Sequence, residues 1–400
     1  MKTIKIGLDD EIDSRLAEEI EKRIYFVSKN IVSFEVINDE SRVKEINLNV
    51  EDNCDINDVK EKVNILIDKD IKLRNVVKER KVFERDFHPE YKKDIYEEML
   101  SKGMVFKAGE GQVAFGNLYL NLMDFIDKKI TEISIGILKG KQYKYPTIIP
   151  TRVVQKCGYF NSFPHFMMFT THIDNDMQKY VKFKELYNTE GKITHEILSE
   201  VCSNTDYCLP PTMCYHMYNQ FENKVFKENE TMVITAKGKS FRYESKYENT
   251  IERLWDFTIR ETALFGSIEF VKQSRQIFME AMYKVIDELQ LTGCCITASD
   301  PFFIDEQVHS KVIFQKLLQA KYELRLNVSN DKTISVGSFN FHDNHFSESF
   351  NLKFESGNNI KTGCTGFGLE RFAYAFLCQH GIDVEKWPKE AADYINKIGG

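Results

Sequence analysis

The sequence predicts a chain of two units in which strands and helices are mixed, and three observations lead there. Four hundred residues is long for one domain and suits two. Residues 1–85 read as β-α-β-β-α, the pattern of a small α/β sandwich. From residue 86 to 400 the chain reads as one larger unit. It holds two helical periodicities, an alternating strand with a polar turn and a return strand, and a glycine turn running into an apolar helix.

In the first unit Ile4, Ile6 and Leu8 alternate as a strand. Asp9 and Asp10 can cap a following helix whose apolar face is Ile12, Leu16, Ile20 and Val27. Strand-like runs start at Ile31 and Ile46, and Val59, Val63 and Ile67 mark a second helix. No catalytic constellation lies here, and no role is assigned to the unit. The charged stretch Lys78 to Arg85 reads as a linker or the start of the next unit, a solvated face being its plain reading.

In the second unit Tyr91 to Met104 and Leu118 to Ile130 carry helical spacing. Pro146 and Pro150 bracket a short β-rich run; prolines in a strand imply an edge or an interface, or simple loop punctuation. Lys227 to Thr231 and Ser329 to Lys332 have the composition of polar hairpin turns. A strand from near Met232 ends in Phe241-Arg242-Tyr243-Glu244. Alternation puts Arg242 and Glu244 on one face, and a return run holds Trp255, Phe257 and Ile259, then Arg260 and Glu261.

Composition narrows the function classes. Hydrophobic residues at 42% and charged residues at 29% are ordinary for a globular chain, and 30 Phe support a substantial core. A net charge of -7 disfavours an extensive nucleic-acid surface while leaving room for a local basic groove. No apolar run reaches the roughly 20 residues of a membrane helix, and the N-terminus lacks the apolar core of a signal peptide, so the expected location is the cytoplasm with no membrane partner. Nine cysteines without framework spacing then read as thiols or ligands, not disulfides.

The stretch Lys361 to Gly381, KTGCTGFGLERFAYAFLCQHG, organises the rest. A Gly-x-Gly turn lets backbone approach a ligand closely, and its bland reading is a strand-to-helix turn. Leu369, Phe372, Ala373, Phe376 and Leu377 recur at helical spacing, and Arg371 sits in the first turn. Gly366-Phe367-Gly368-Leu369-Glu370-Arg371 resembles motif 3 of the class II aminoacyl-tRNA synthetases, and the Arg242–Glu261 segment resembles motif 2. Cys214, Glu261 and Cys364 stand in the contexts of a zinc-dependent branch. That branch contains the archaeal-type seryl-tRNA synthetases and the amino acid:[carrier protein] ligases.

The resemblance implies an α+β fold, an antiparallel sheet flanked by helices, in a catalytic unit over residues 86–400 that is usually a homodimer. It implies a ligase that uses ATP with Mg²⁺ to form an aminoacyl-adenylate. Arg242 would neutralise the α-phosphate and Arg371 the γ-phosphate, Glu244 would read the adenine edge, and Phe257 would stack on the ring. Without the resemblance, Arg242, Glu244 and Phe257 read as a cross-strand ion pair and a buried ring. Cys214, Glu261 and Cys364 would hold Zn²⁺ with a fourth position open to the amino group. Glu261, Glu323 and Asn340 would bind the amino acid. His342 and His345 read as structural hydrogen-bonders, and no protein ligand of Mg²⁺ is assigned.

The segments Gly158 to His165, Ala298 to Phe303 and Ser338 to His342 resemble the carrier-protein ligases more closely. The expected acceptor is therefore the phosphopantetheine thiol of a carrier protein, loaded with a small amino acid. The missing coiled-coil arm and the acidic charge disfavour tRNA as partner. The alternatives are seryl-type tRNA aminoacylation and a non-enzymatic synthetase-like subunit.

Overall fold

The computed structural model describes residues 1–21, 23–39, 41–73, 80–91, 95–244, 251–298 and 319–399. Alternating isoleucines start the first strand, β1 (Lys2–Asp13). With β2 (Ile31–Asn38) and β3 (Arg42–Val50) it makes an antiparallel sheet of order β1-β3-β2. Helix α1 (Ile56–Lys69) covers one face. Asp55 caps it by accepting the N–H groups of Asn57 and Asp58. Val59, Val63, Leu66 and Ile67 pack into one core with Ile4, Ile6, Ile46 and Leu48.

The helix expected after Asp9 and Asp10 is not formed. β1 runs on to Asp13, because Ile12 and Asp13 pair with Val43 and Arg42 after an irregularity in register. Cross-strand pairing overrides the local helical pattern there. Asp13 is the cap instead, accepting the N–H of Arg15, and only short helical turns follow, including Ala17–Glu21. Ile12, Leu16 and Ile20 are buried all the same. The ring of Phe26 lies edge-on to His165 at 4.4 Å and to Phe166 at 5.7 Å, and Glu18 lies 3.7 Å from Arg325.

Among the described residues the larger sheet has eight strands. In chain order its elements are β4 (Lys81–Arg85), α2 (Ile95–Ser101), α3 (Asn117–Thr131), β5 (Lys141–Tyr143), α4 (Cys214–Gln220), β6 (Met232–Phe241) and β7 (Asp256–Gly266). Then come α5 (Ile268–Glu288), β8 (Gly293–Thr297), β9 (Lys321–Asn327), β10 (Thr333–Asp343), β11 (Lys361–Gly368) and α6 (Leu369–His380). The sheet order is β4-β8-β9-β10-β11-β7-β6-β5, antiparallel throughout except for the parallel edge pair β6-β5. The expected α+β architecture is thus present.

The charged stretch ending at Arg85 supplies edge strand β4, whose Phe83 is buried. Pro150 lies in an edge strand, Ile149–Pro150, and caps the helix Thr151–Lys156. Residues 329–332 turn β9 into β10 as a hairpin. Residues 227–231 do not make one, since Val225–Phe226 pairs with Lys353–Phe354 and not with β6. The DPFF block lies outside the described residues. Among the described residues, no helix is long and apolar enough to cross a membrane.

Side-chain alternation divides the sheet. Phe339 of β10 and Phe367 of β11 point into a core with Phe278 of α5 and with Phe372 and Phe376 of α6. Burying each such ring contributes about 1.5–3 kcal/mol. Asn340, one residue after Phe339, and its ladder partner Cys364, three residues before Phe367, face the other side.

Helix α3 is locked to β7 by Asp127, which takes a bidentate pair of bonds from buried Arg260 at 2.6 and 2.8 Å and lies 3.2 Å from Lys237. Asp127→Ala should lower stability by about 3–5 kcal/mol, because it leaves Arg260 buried without its counter-charge. Urea denaturation of the variant measures this.

Candidate active site and metal centre

The strand pair β6 and β7 sets out the first half of the site. Backbone bonds fix the turn beyond β6: the Arg242 N–H donates to Trp255 O at 3.0 Å and the Tyr243 N–H to Phe166 O at 3.0 Å. The Arg242 guanidinium then lies 5.5 Å over the Phe257 ring, and its Nε donates to Pro211 O at 3.2 Å. Buried Glu244 is paired with Arg253 at 3.0 Å. Arg371, in the first turn of α6, donates from Nε to Glu252 O at 2.5 Å.

The neighbouring Glu370 plays a part that sequence reasoning missed. Its buried carboxylate accepts the Thr258 N–H at 2.7 and 2.8 Å, tying α6 to β7. The only signal was an acid in a helix's first turn.

The second half is a buried cluster. Cys214 opens α4, Glu261 lies mid-strand on β7 and Cys364 mid-strand on β11, and one ligand atom from each falls within 4.8 Å of the other two. The Glu261 carboxylate accepts the Cys214 N–H at 2.5 Å and the Thr212 hydroxyl at 2.7 Å. On the other side Asn340 Nδ2 donates to Cys364 Sγ at 3.4 Å, and His342 Nε2 lies 3.6 Å from the same sulfur. Gly366, opposite Glu261 in register, leaves room for it. A Cβ there would stand 3.1 Å from Glu261 Cγ and 3.2 Å from Oε1. The glycine thus makes space for a carboxylate, while Gly368 ends the strand as the cap of α6.

The charges of this cluster fit a divalent cation. Burial, and then the Cys364 charge, push Glu261 up to about 7 against the bonds from Thr212 and Cys214. Burial pushes the Cys214 thiol well up. The hydrogen bond from Cys214 holds the Cys364 thiol well below its ordinary value. Two thiols and a carboxylate share negative charge in a desolvated place, and that is a donor set zinc takes.

Of the other expected residues, Asn340 is beside the cluster. Glu323 is further off across the sheet, in the register row Glu261, Gly366, Ser338, Glu323, and it pairs with Lys321 at 3.2 Å. His345 meets Cys157 O at 3.2 Å, away from the cluster. Thr212 was not singled out from sequence, where a lone threonine after two prolines gave no signal.

Residues 164–380 match the family described as tRNA synthetase class II core domain (G, H, P, S and T). The chain is 27% identical over 314 residues to a type-2 serine--tRNA ligase of Methanococcus aeolicus, covering 77% of this chain and 60% of that protein. It is 26% identical over 325 residues to the type-2 serine--tRNA ligase of Methanopyrus kandleri, covering 77% and 61%. It thus spans about three fifths of the length of these curated relatives. The fold is similar to that of the M. kandleri SerRS in a crystal structure with A. aeolicus tRNASec. The TM-score is 0.73 at 22% identity, over 100% of this chain and 78% of that one.

These findings overturn the expected acceptor. The relatives are named for tRNA, so the carrier protein with its phosphopantetheine thiol, and the dismissal of tRNA, are corrected. The physical reason is that the motifs behind the expectation resemble those of adenylate formation, a step common to both acceptors. A net charge summed over the chain does not locate a basic groove. Since the core-domain match takes in more than half of the 400 residues, the chain belongs to the class II tRNA synthetase family.

Proposed function

We propose that this chain activates serine with ATP and transfers the seryl group to tRNA. The observation that carries the reading is the buried Cys214–Glu261–Cys364 cluster, whose Glu261 shares strand β7 with Phe257, the ring under Arg242, within a class II core. The names of the relatives support serine and tRNA as the substrates.

ATP with Mg²⁺ lies along the platform, its adenine on Phe257 with Glu244 at the edge. Arg242 bears on the α-phosphate and Arg371 on the γ-phosphate. A serine carboxylate oxygen bonds to the α-phosphorus, the bond to the β-phosphate oxygen breaks, and pyrophosphate leaves. The guanidinium of Arg242 stabilises the charge that builds on the phosphorus oxygens in that step. A tRNA hydroxyl then attacks the acyl carbon of the seryl-adenylate, and AMP departs.

Cys214, Glu261 and Cys364 would hold Zn²⁺, which supplies an open coordination position for the substrate's free amino group. Asn340, beside the cluster, and Glu323, further along the same face of the sheet, would bind the serine. The test is ATP–pyrophosphate exchange by the full chain with each common amino acid, followed by transfer of labelled amino acid to total tRNA. Serine-dependent exchange and seryl-tRNA are expected. Exchange with another amino acid only, or no label on tRNA, would refute the reading.

A further inference from the structure

Beside the metal cluster the ladder between β10 and β11 is broken by one extra residue. Asn340 pairs with Cys364 and Phe341 with Gly363, but Thr362 pairs with Asp343, so His342 is the bulged residue. A bulge re-aims a side chain, and bulges gather next to functional sites. This one has a backbone cost: Asp343 adopts φ 51°, in the left-handed region. Lys361 pins that residue, with Nζ 2.6 Å from the Asp343 carboxylate and 2.7 Å from Asn344 Oδ1.

The half-buried imidazole that results has defined neighbours at its ring and at both nitrogens. Tyr218, fully buried on α4, has its hydroxyl 3.3 Å from His342 Nδ1. Phe346 meets the ring edge-on at 4.8 Å, and Phe346 is itself stacked on Tyr218 at 4.1 Å. The remaining nitrogen, Nε2, faces Cys364 Sγ at 3.6 Å. It is not among the ligand atoms that lie within 4.8 Å of one another.

A neutral imidazole has one N–H donor and one acceptor nitrogen. A lone pair aimed at a thiolate would be repelled, so the proton belongs on Nε2, and Nδ1, at 3.3 Å nearer than the alternative acceptor Gly363 O at 3.5 Å, accepts from the Tyr218 hydroxyl. We infer that His342 is a positioning residue of the metal centre: the relay Tyr218 O–H to Nδ1, and Nε2–H to Cys364 Sγ, fixes the direction of the Cys364 thiolate and withdraws part of its charge. Asn340 Nδ2 is the second donor to the same sulfur. Cys364 is then the more heavily hydrogen-bonded of the two thiolates, while Cys214 Sγ has the Thr212 hydroxyl at 3.7 Å. The inference rests on reading Cys214, Glu261 and Cys364 as metal ligands.

The test substitutes Co²⁺ for zinc in the full chain and records absorption and affinity, the latter by competition with a chromophoric chelator. The variants are His342→Ala, His342→Gln and Tyr218→Phe. An N–H donor lowers the energy of sulfur electrons, so its loss in His342→Ala should move the sulfur-to-cobalt charge-transfer band to longer wavelength. Affinity should fall about 10–100-fold, the usual effect of removing a ligand's hydrogen-bond partner. His342→Gln, which restores an N–H, should recover most of both effects, and Tyr218→Phe should lie between. The ligand-field bands should keep tetrahedral intensity in all three, since no ligand is removed.

An unmoved charge-transfer band and unchanged affinity in His342→Ala would overturn the role of His342 and leave the three-residue site intact. A ligand-field change showing loss of a direct ligand would overturn it in favour of histidine coordination. Failure of the unsubstituted chain to bind Co²⁺ would overturn the metal reading itself, and this inference with it.

Discussion

Cys364→Ser should strip the metal from the protein and abolish serine-dependent pyrophosphate exchange while leaving the fold in place. Cys364 is buried in the middle of β11, with Ala263 and Asn340 as its ladder partners. Serine is close to isosteric, so the strand and its pairing are preserved. Its hydroxyl, however, does not ionise near neutral pH and is a poor partner for zinc, which takes thiolate. The hydrogen-bond partners of a metal ligand are worth about 10–100-fold in affinity. Removing the ligand itself has a larger effect, so metal analysis after mild chelation should find the variant empty and the parent chain loaded. Circular dichroism should match the parent. A variant that keeps one zinc per chain would take Cys364 out of the ligand set.

Arg242→Ala and Arg371→Ala should each slow adenylate formation by about 10²–10³, with smaller changes in serine affinity. That corresponds to about 2.7–4 kcal/mol, the usual worth of one preorganised charged contact to an oxyanion in a desolvated site. Arg242 is held over Phe257 and anchored through Nε to Pro211 O, which leaves the fork of the guanidinium to meet phosphate. Arg371 donates through Nε to Glu252 O. Lysine at either place should not restore activity, because a point charge cannot reproduce the planar fork. Single-turnover measurement of adenylate separates this step from product release. An Arg371→Ala chain with undiminished exchange would remove the glycine-rich segment from the catalytic account.

Much of this was readable in the residues because local pattern and tertiary role coincide there. The apolar run of β6, the helical spacing of apolar residues in α6, which is buried nearly all round, and the periodicity of Val59, Val63 and Ile67 in α1 each announce their element locally. Cys214, Glu261 and Cys364 are far apart in sequence, so only their motif contexts could nominate them, and the structure brings them together. The stretch after Gly7 misled because an amphipathic helix and a strand continuing past an irregularity present the same isoleucines. Glu370 and Thr212 were missed since their partners are a backbone N–H and a carboxylate from distant strands, which no local spacing encodes. His342 read as a hydrogen-bonding histidine, but its direction depends on a bulge visible only in the pairing. The acceptor was misjudged because whole-chain charge is a sum, whereas recognition depends on where charge lies.

The order in which the large sheet closes has a kinetic consequence. Edge strand β4 joins β8 across most of the chain, and the nearby Arg85–Asp287 bridge spans 202 residues. Such pairings are intrinsically slow, since loop closure must precede any reward from contact. Cys214, Glu261 and Cys364 come from α4, β7 and β11, elements distant in the chain, and β11 lies between β10 and β7 in the sheet. The cluster therefore forms only once long-range pairing has closed. All nine cysteines are free thiols, and until that moment Cys214 and Cys364 are as open to oxidants as any thiol in a nascent chain. Refolding from denaturant should accordingly depend on reductant more than the stability of the finished protein does, with metal incorporation marking the final chains to become native.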